Sequence, residues 1–381
     1  MKIIHMMLSS FYIDNRLYQE NLLSRQHKSD GHDVLIVAST ETFDDTNNLT
    51  YVSPSKYMNE FNIPVIRLPY KNILGPYLSR KVRAYVGVFD ILHSFSPDII
   101  FFHGCCAWEL LTIQKYKINN SKVKVFVDTH TDYNNSGRTL ISKWILHKLL
   151  YKYTLNRVLP AIDKLFFITK ETKKYLLEVY KIPPQKTEFL PLGGIILDDD
   201  VATKIRIKQR RILEKKNNDI VLLHSGKMNS QKRTLELLNA FSKINDERIK
   251  LLIAGTFSED IADEAFGFIN TDNRIEYLGW QNTDEIVNLL YAADLYLQPG
   301  SQSVTMQQAL CCGCPVALFP YDSHKDLLGD TPFYIETEND IYELLVCILK
   351  NQTILKDKSQ EALSFAKENL DYKTLAKKVI E

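Results

Sequence analysis

The stretch "EYLGWQNTDEIVNLLYAADLYLQPGSQSVTMQQALCCGCPVA", residues 276–317, decides the fold. Brief apolar runs at 294–298 and 315–319 read as buried strands, and 283–291 and 303–312 have the apolar spacing of helices. Gly313 and Pro315 punctuate the last helix–strand joint. Such alternation builds a parallel sheet covered on both faces. The pattern extends outward through strands at 219–225, 249–254 and 274–278 and helices at 231–243 and 259–268. Helices at 338–350 and 356–369 follow.

An earlier set precedes it. Strands are expected at 2–8, 34–39, 63–68, 98–103, 123–128 and 164–168, with helices at 17–29, 78–95, 107–117, 138–159 and 170–180. Between the two sets, "LPLGGIILDDD" (190–200) has linker composition, and the basic stretch 204–216 reads as a helix leading out of it. The fold class is therefore α/β, with two doubly wound Rossmann-like domains, 1–195 and 196–360. Residues 361–381 are expected to form a C-terminal helix crossing back to the first domain. Two such sheets place a cleft at the carboxyl ends of their strands, where open α/β folds bind ligands.

The 381 residues suit two domains. Lys plus Arg is 47 against 46 for Asp plus Glu, so no overall basic field points to a nucleic-acid partner. Five of the six cysteines sit in two tight apolar clusters, 105–106 and 311–314, without zinc-site spacing. They read as reduced, buried thiols of a cytoplasmic protein. The apolar run in MKIIHMMLSS is too short and too early for a signal peptide, and no run of 18 apolar residues exists to span a bilayer.

In "LLHSGKMNSQKRTLELLNAF" (222–241) a strand runs into Gly226 and a helix follows, with Lys227 and Lys232 flanking the loop. Two ammonium groups beside a helix N-terminus suit a diphosphate. A solvated basic loop before a surface helix fits the same spacing. Two histidines end strands: His103 in "IIFFHGCCAW", and His130 in "KVFVDTHTDY" between Asp128 and Asp132. Polar residues in that position face the ligand side of a parallel sheet. Hydrogen-bonded strand-end histidines are the alternative reading of both.

Taken in order, these elements resemble the retaining GT-B glycosyltransferases, glycosyltransferase family 4-like (group 1). Gly226, Lys227 and Lys232 match the family's phosphate loop, and Leu278 to Gln281 its base-contacting turn. Residues 293–299 match a further strand, Cys312 to Val316 its Cys-Gly-x-Pro-Val joint, and "FLPLGG" its linker. The resemblance implies that Gly226, Lys227, Lys232 and the amides of Ser303, Val304 and Thr305 hold the donor diphosphate. Trp280 and Gln281 would meet the base, and a surface-turn aromatic is the alternative for Trp280. His130 would act at the reacting centre, with Asp132 as its supporting or acceptor-binding carboxylate.

The acids depart from the family pattern. Two glutamates eight positions apart are usual, and here they fall on Gly300 and Gln308. Gln308 keeps an amide oxygen that can accept from a ribose hydroxyl, and Gln302 is the candidate nearest the donor sugar. The loop 9–16 has no glycine. Tyr18, Gln19 and Glu20, which open the first helix, are assigned with His103 to the acceptor side; capping and packing are the alternative.

No cofactor and no metal are expected, because two lysines supply the charge a diphosphate needs. The acidic run Asp198–Asp200 is expected in the linker as a solvated turn. The segment 138–159 carries Ile141, Trp144, Ile145 and Leu149 with Lys143, Lys148, Lys152 and Arg157 interleaved. It is read either as a sheet-covering helix or as a peripheral contact with the inner face of the membrane. The expected function is transfer of a sugar, with retention, from a nucleoside-diphosphate sugar, UDP-sugar favoured. The expected acceptor is a hydroxyl of a glycan, lipid-linked or other glycoconjugate in surface polysaccharide biosynthesis. A GT-B sugar-nucleotide epimerase and a non-catalytic nucleotide-binding GT-B protein are the rival readings.

Overall fold

The computed structural model describes residues 1–16, 18–43, 48–133, 135–137, 139 and 142–380. Two compact units divide the chain: Met1–Pro191 joined by the residues from Leu375 onward, and Leu192–Thr374.

The first unit is built on an eight-stranded sheet. Its spatial order is Thr187–Phe189, Lys164–Phe167, Lys124–Thr129, Ile99–Phe102, Lys2–Met7, Asp33–Ser39, Pro64–Leu68 and Ser55–Met58. Every pairing is parallel except the last. The inner strands are the apolar runs of the sequence, and they bury both faces: Ile3, Ile4, Met6 and Met7 are all 0% exposed. Ser55–Met58 escapes sequence reading because it is a mostly exposed edge strand with no apolar run. Glu41–Phe43 and Leu49–Tyr51, a small antiparallel ribbon, escape it for want of length.

Two expected helices differ in form. The segment 78–95 splits into Pro76–Val82 and Val88–Phe95, because Arg83 (φ 55°) and Gly87 (φ 84°) turn the backbone left-handed between them. The segment 138–159 is π-helical over Ser142–Tyr151 and α-helical over Lys152–Val158. Arg138, Leu140 and Ile141 lie outside the described residues, as does Leu17 before the first helix, Gln19–Ser29.

The second unit has six parallel strands in the order Ile275–Gly279, Ile249–Phe257, Ile220–Met228, Leu295–Gln298, Val316–Leu318 and Phe333–Tyr334. Its two longest neighbours stay paired as far as Met228 and Phe257. Glycine makes this possible: a Cβ on Gly255 would sit 1.8 Å from the Gly226 carbonyl oxygen. The close pairing carries the strand past Gly226 and sets where the lysine loop begins.

The acidic run is a correction to the sequence reading. Asp198 is the N-cap residue, and Asp199 and Asp200 form the first turn, of helix Asp199–Ile212. Carboxylates there meet the positive end of the helix dipole, so they begin a helix rather than a linker turn. Among the described residues no helix is long and apolar enough to cross a membrane.

Candidate functional site

In the second unit the strand Ile220–Met228 delivers Gly226 and Lys227, and a short turn, Ser230–Lys232, delivers Lys232. The Asn229 side chain closes that turn by accepting from the Lys232 amide at 3.2 Å. Lys232 is only 7% exposed. Its Nζ donates to the Ser301 carbonyl at 3.3 Å and lies 3.6 Å from where a Gly226 Cβ would stand. No described carboxylate lies within ion-pair distance of it. Burial lowers its pKa to about 8, the response of a cation without a counter-charge. Lys227 is exposed one residue beyond Gly226.

The loop after Leu295–Gln298 packs directly on this turn. Ser301 donates its amide to the Gln231 carbonyl at 2.8 Å. A Cβ on Gly300 would lie 2.2 Å from that same oxygen, so no side chain of any kind fits at the first of the two positions where the family places glutamate. The second position is also committed. Gln308 accepts the Ile195 amide at Oε1 and donates from Nε2 to the Ile195 carbonyl, both at 3.3 Å. Its amide pairs with backbone as a strand neighbour does, and the Oε1 assigned to a ribose hydroxyl already holds one hydrogen bond.

The other residues that the sequence assigns to the donor side are set apart by exposure. Helix Thr305–Cys311 begins at Thr305, later than the sequence suggests, and the Thr305 amide already donates to the Ser303 hydroxyl at 3.3 Å. Val304 is 55% exposed. Gln302 turns outward and donates to Ser323 Oγ at 2.6 Å. Trp280 is 53% exposed after the left-handed Gly279, while Gln281 folds back to the Leu278 carbonyl at 2.7 Å. A cavity of about 510 Å³ lined by Arg206, Arg210, Tyr291 and Asp294 lies at the opposite, amino-terminal ends of these strands.

In the first unit His103 and His130 both follow strand ends, and Asp128 joins them. His103 is fully buried and donates from Nδ1 to Asp128 Oδ2 at 2.7 Å; Gly104 donates its amide to Asp128 Oδ1 at 2.7 Å. His130 Nε2 lies 4.0 Å from Asp128 Oδ1 and is a buried nitrogen without a hydrogen bond. Asp132 is occupied locally, its Oδ1 accepting the Asn135 amide at 2.8 Å in a tight turn. Tyr18 is exposed at the helix start, whereas Gln19 and Glu20 are buried. Both amide atoms of Gln19 lack a hydrogen-bond partner.

Sequence reading missed His5 and His27, which continue inward from His103. The one visible signal is a lone polar residue, His5, inside the apolar strand Lys2–Met7.

The comparisons with known proteins fit this layout. Residues 205–364 match the family model described as glycosyl transferases group 1, and residues 21–193 match glycosyltransferase family 4. The chain has the GT-B fold and is related to the group 1 and family 4 glycosyltransferases. An uncharacterized glycosyltransferase of Methanocaldococcus jannaschii is 23% identical over 341 residues, 83% of each chain. A glycosyltransferase from Rickettsia africae superposes with a TM-score of 0.68 at 16% identity, over 100% of this chain and 96% of that one. Anabaena HepE, solved with UDP, gives 0.66 at 15% identity, over 100% and 98%. Among the described residues no group of three or more His, Cys, Asp or Glu side chains is arranged to hold a metal ion.

Proposed function

We propose that this glycosyltransferase moves a sugar from a nucleoside-diphosphate sugar, UDP-sugar favoured, to a hydroxyl of a glycan or glycoconjugate acceptor with retention. The observation that carries the reading is Lys232, a buried ammonium without a described carboxylate, held against Gly226. A diphosphate supplies the missing counter-charge. It gains negative charge as it leaves, so a fixed cation favours the transition state over the ground state. Lys227 adds a second positive group from the same loop. In the reaction the bond from the sugar's anomeric carbon to the diphosphate breaks and the acceptor oxygen bonds to that carbon on the same face. The acceptor's proton passes to the departing phosphate oxygen. His130, with a free buried Nε2 near Asp128, is the candidate to contact the sugar or the reacting centre. That HepE was solved with UDP supports the choice of base.

A role in surface polysaccharide synthesis, at the inner face of the membrane, fits the exposed Trp144, Ile145 and Leu149 beside Lys143 and Lys148. Binding to anionic but not zwitterionic vesicles tests that part. A second reading, nucleotide binding without turnover, is favoured by Gly300 and Gln308, which offer the donor no acid. Mass-spectrometric screening of donor hydrolysis and transfer over a panel of nucleotide sugars separates the two. Lys232→Ala is expected to lose transfer, and undiminished transfer by that variant would sink the phosphate assignment.

A further inference from the structure

A buried imidazole needs a partner for each ring nitrogen. His5 stands fully buried in the central strand Lys2–Met7 and finds both partners in other histidines. His5 Nδ1 lies 2.9 Å from His103 Nε2, and His5 Nε2 lies 2.9 Å from His27 Nδ1. Acceptors close the two ends: Asp128 Oδ2 is 2.7 Å from His103 Nδ1, and the Ala376 carbonyl is 3.1 Å from His27 Nε2. His5, His27, His103 and Asp128 are each 0% exposed.

The proton count of this run does not close with neutral rings. It has four links, Asp128–His103, His103–His5, His5–His27 and His27–Ala376, and each needs one proton. Three neutral imidazoles carry one proton each, while an ionised carboxylate and a carbonyl carry none. One link would then set two lone pairs against each other in a fully buried place, where an unmade hydrogen bond is most costly. A fourth proton on His103 satisfies all the links. His103 then donates from Nδ1 to Asp128 and from Nε2 to His5; His5 donates to His27, and His27 to Ala376. The imidazolium lies against the carboxylate, so the run as a whole is neutral.

We propose that Asp128, His103, His5 and His27 hold one proton beyond their neutral rings. His103 is the imidazolium, and the proton keeps Asp128 ionised beside His130 while fastening the segment after Leu375 to the first unit. The role toward His130 rests on the reading of that residue given above; the proton count stands apart from it.

The surroundings favour this placement. Burial raises Asp128, but the charge and hydrogen bond of His103, then the charge of His130 and the Gly104 amide, outweigh it and hold the carboxyl below its usual range. His5 is lowered by burial and by His27 and His103, and burial brings His27 down to about 4, as suits two neutral rings. The other groups facing the run are Phe101, stacked on His103 at 4.3 Å, Cys105 and His130 near Asp128, and Asp30 and His32 near His27. The N-terminal ammonium approaches His32 at 3.4 Å.

Ring-nitrogen NMR of the full chain carrying ¹⁵N-histidine tests the count at pH 8, well above the ordinary imidazole pKa of ~6.5. One ring, absent in His103→Gln, is expected to show both nitrogens protonated. In His27→Leu the run stops at His5, two neutral rings serve the two remaining links, and the imidazolium is expected to vanish. If all nine histidines of the unsubstituted chain carry a single ring proton, the proposal fails. An imidazolium that persists in His27→Leu overturns it too.

The positioning role is read from transfer against pH. His27→Leu is expected to keep the donor KM and to lose kcat at pH 8, recovering it as the pH is lowered. Identical profiles for the two proteins overturn that role and leave the NMR count standing. An intact count in a chain that transfers no sugar strikes the functional reading, and the positioning role with it.

Discussion

The lysine loop of the second unit and the histidine strand ends of the first are both polar sites at the carboxyl ends of parallel strands. They are built in opposite ways. Lys227 stands near the end of its strand and Lys232 on the turn that follows, and the chemistry is local: two cations, a glycine, and burial of one ammonium against Gly226. Asp128 and His5 come from two strands, His103 from just past the end of a third and His27 from a helix, and none of them has meaning without the others. The first arrangement buries the Lys232 ammonium without a described carboxylate beside it. The second compensates each group internally, and beside it His130 Nε2 is buried without a hydrogen bond among the described residues. On the proposals made above, one is a binding device and the other a supporting one.

The comparison can be tested first with acid. His27 in the first unit and His224 in the second are both lowered to about 4, burial being the leading cause. Unfolded histidines take up protons as the pH falls below ~6.5, whereas these two stay neutral down to about 4. The unfolded state therefore binds more protons across that window, and stability falls as the pH falls through it. Each residue is expected to contribute on the order of 3 kcal/mol to this loss. Denaturant midpoints measured between those limits should slope downward with acid, and His224→Leu should flatten the slope.

The next effect isolates the binding device. Lys232→Ala is expected to cost roughly a hundredfold in kcat/KM, the scale seen when one fixed charge-stabilising donor is removed. Steady-state transfer kinetics check it, and the histidine NMR pattern of the first unit should not change.

Gly300→Ala separates backbone packing from charge. Its Cβ would meet the Gln231 carbonyl at 2.2 Å, so the loop must shift and carry the Lys232 turn with it. A loss of ~1–3 kcal/mol is expected, together with weaker UDP binding by calorimetry. Unchanged stability and affinity would show that the loop yields freely.

The smallest expected effect is at Gln308. Gln308→Glu keeps the shape but removes the N–H that the Ile195 carbonyl uses, at a cost of about 1 kcal/mol. If donor affinity instead rises, the residue acts as a ribose ligand and not as a brace for Ile195.

Much of the fold was legible because strands buried on both faces must be continuous apolar runs. Lys2–Met7, Ile99–Phe102 and Leu295–Gln298 are such runs, and the helices between them keep their apolar spacing. Ser55–Met58 was not legible, since an edge strand with exposed residues carries no such constraint. The break at Arg83 was hidden because a left-handed arginine leaves no mark in apolar periodicity. Of the proposed site residues, Lys227 and Lys232 were visible from local spacing beside a glycine turn. His130 was visible only as a strand-end polar residue.

Sequence alone determined the two α/β units and the lysine loop, because both follow from contacts between near neighbours and from the period of apolar residues. The tertiary structure decided the rest. It showed that Gly300 has no room for a side chain, that Gln308 braces the Ile195 backbone, and that three distant histidines share one line to Asp128. These depend on distances between residues far apart in the chain, and such distances are fixed only when the sheet brings its strands together.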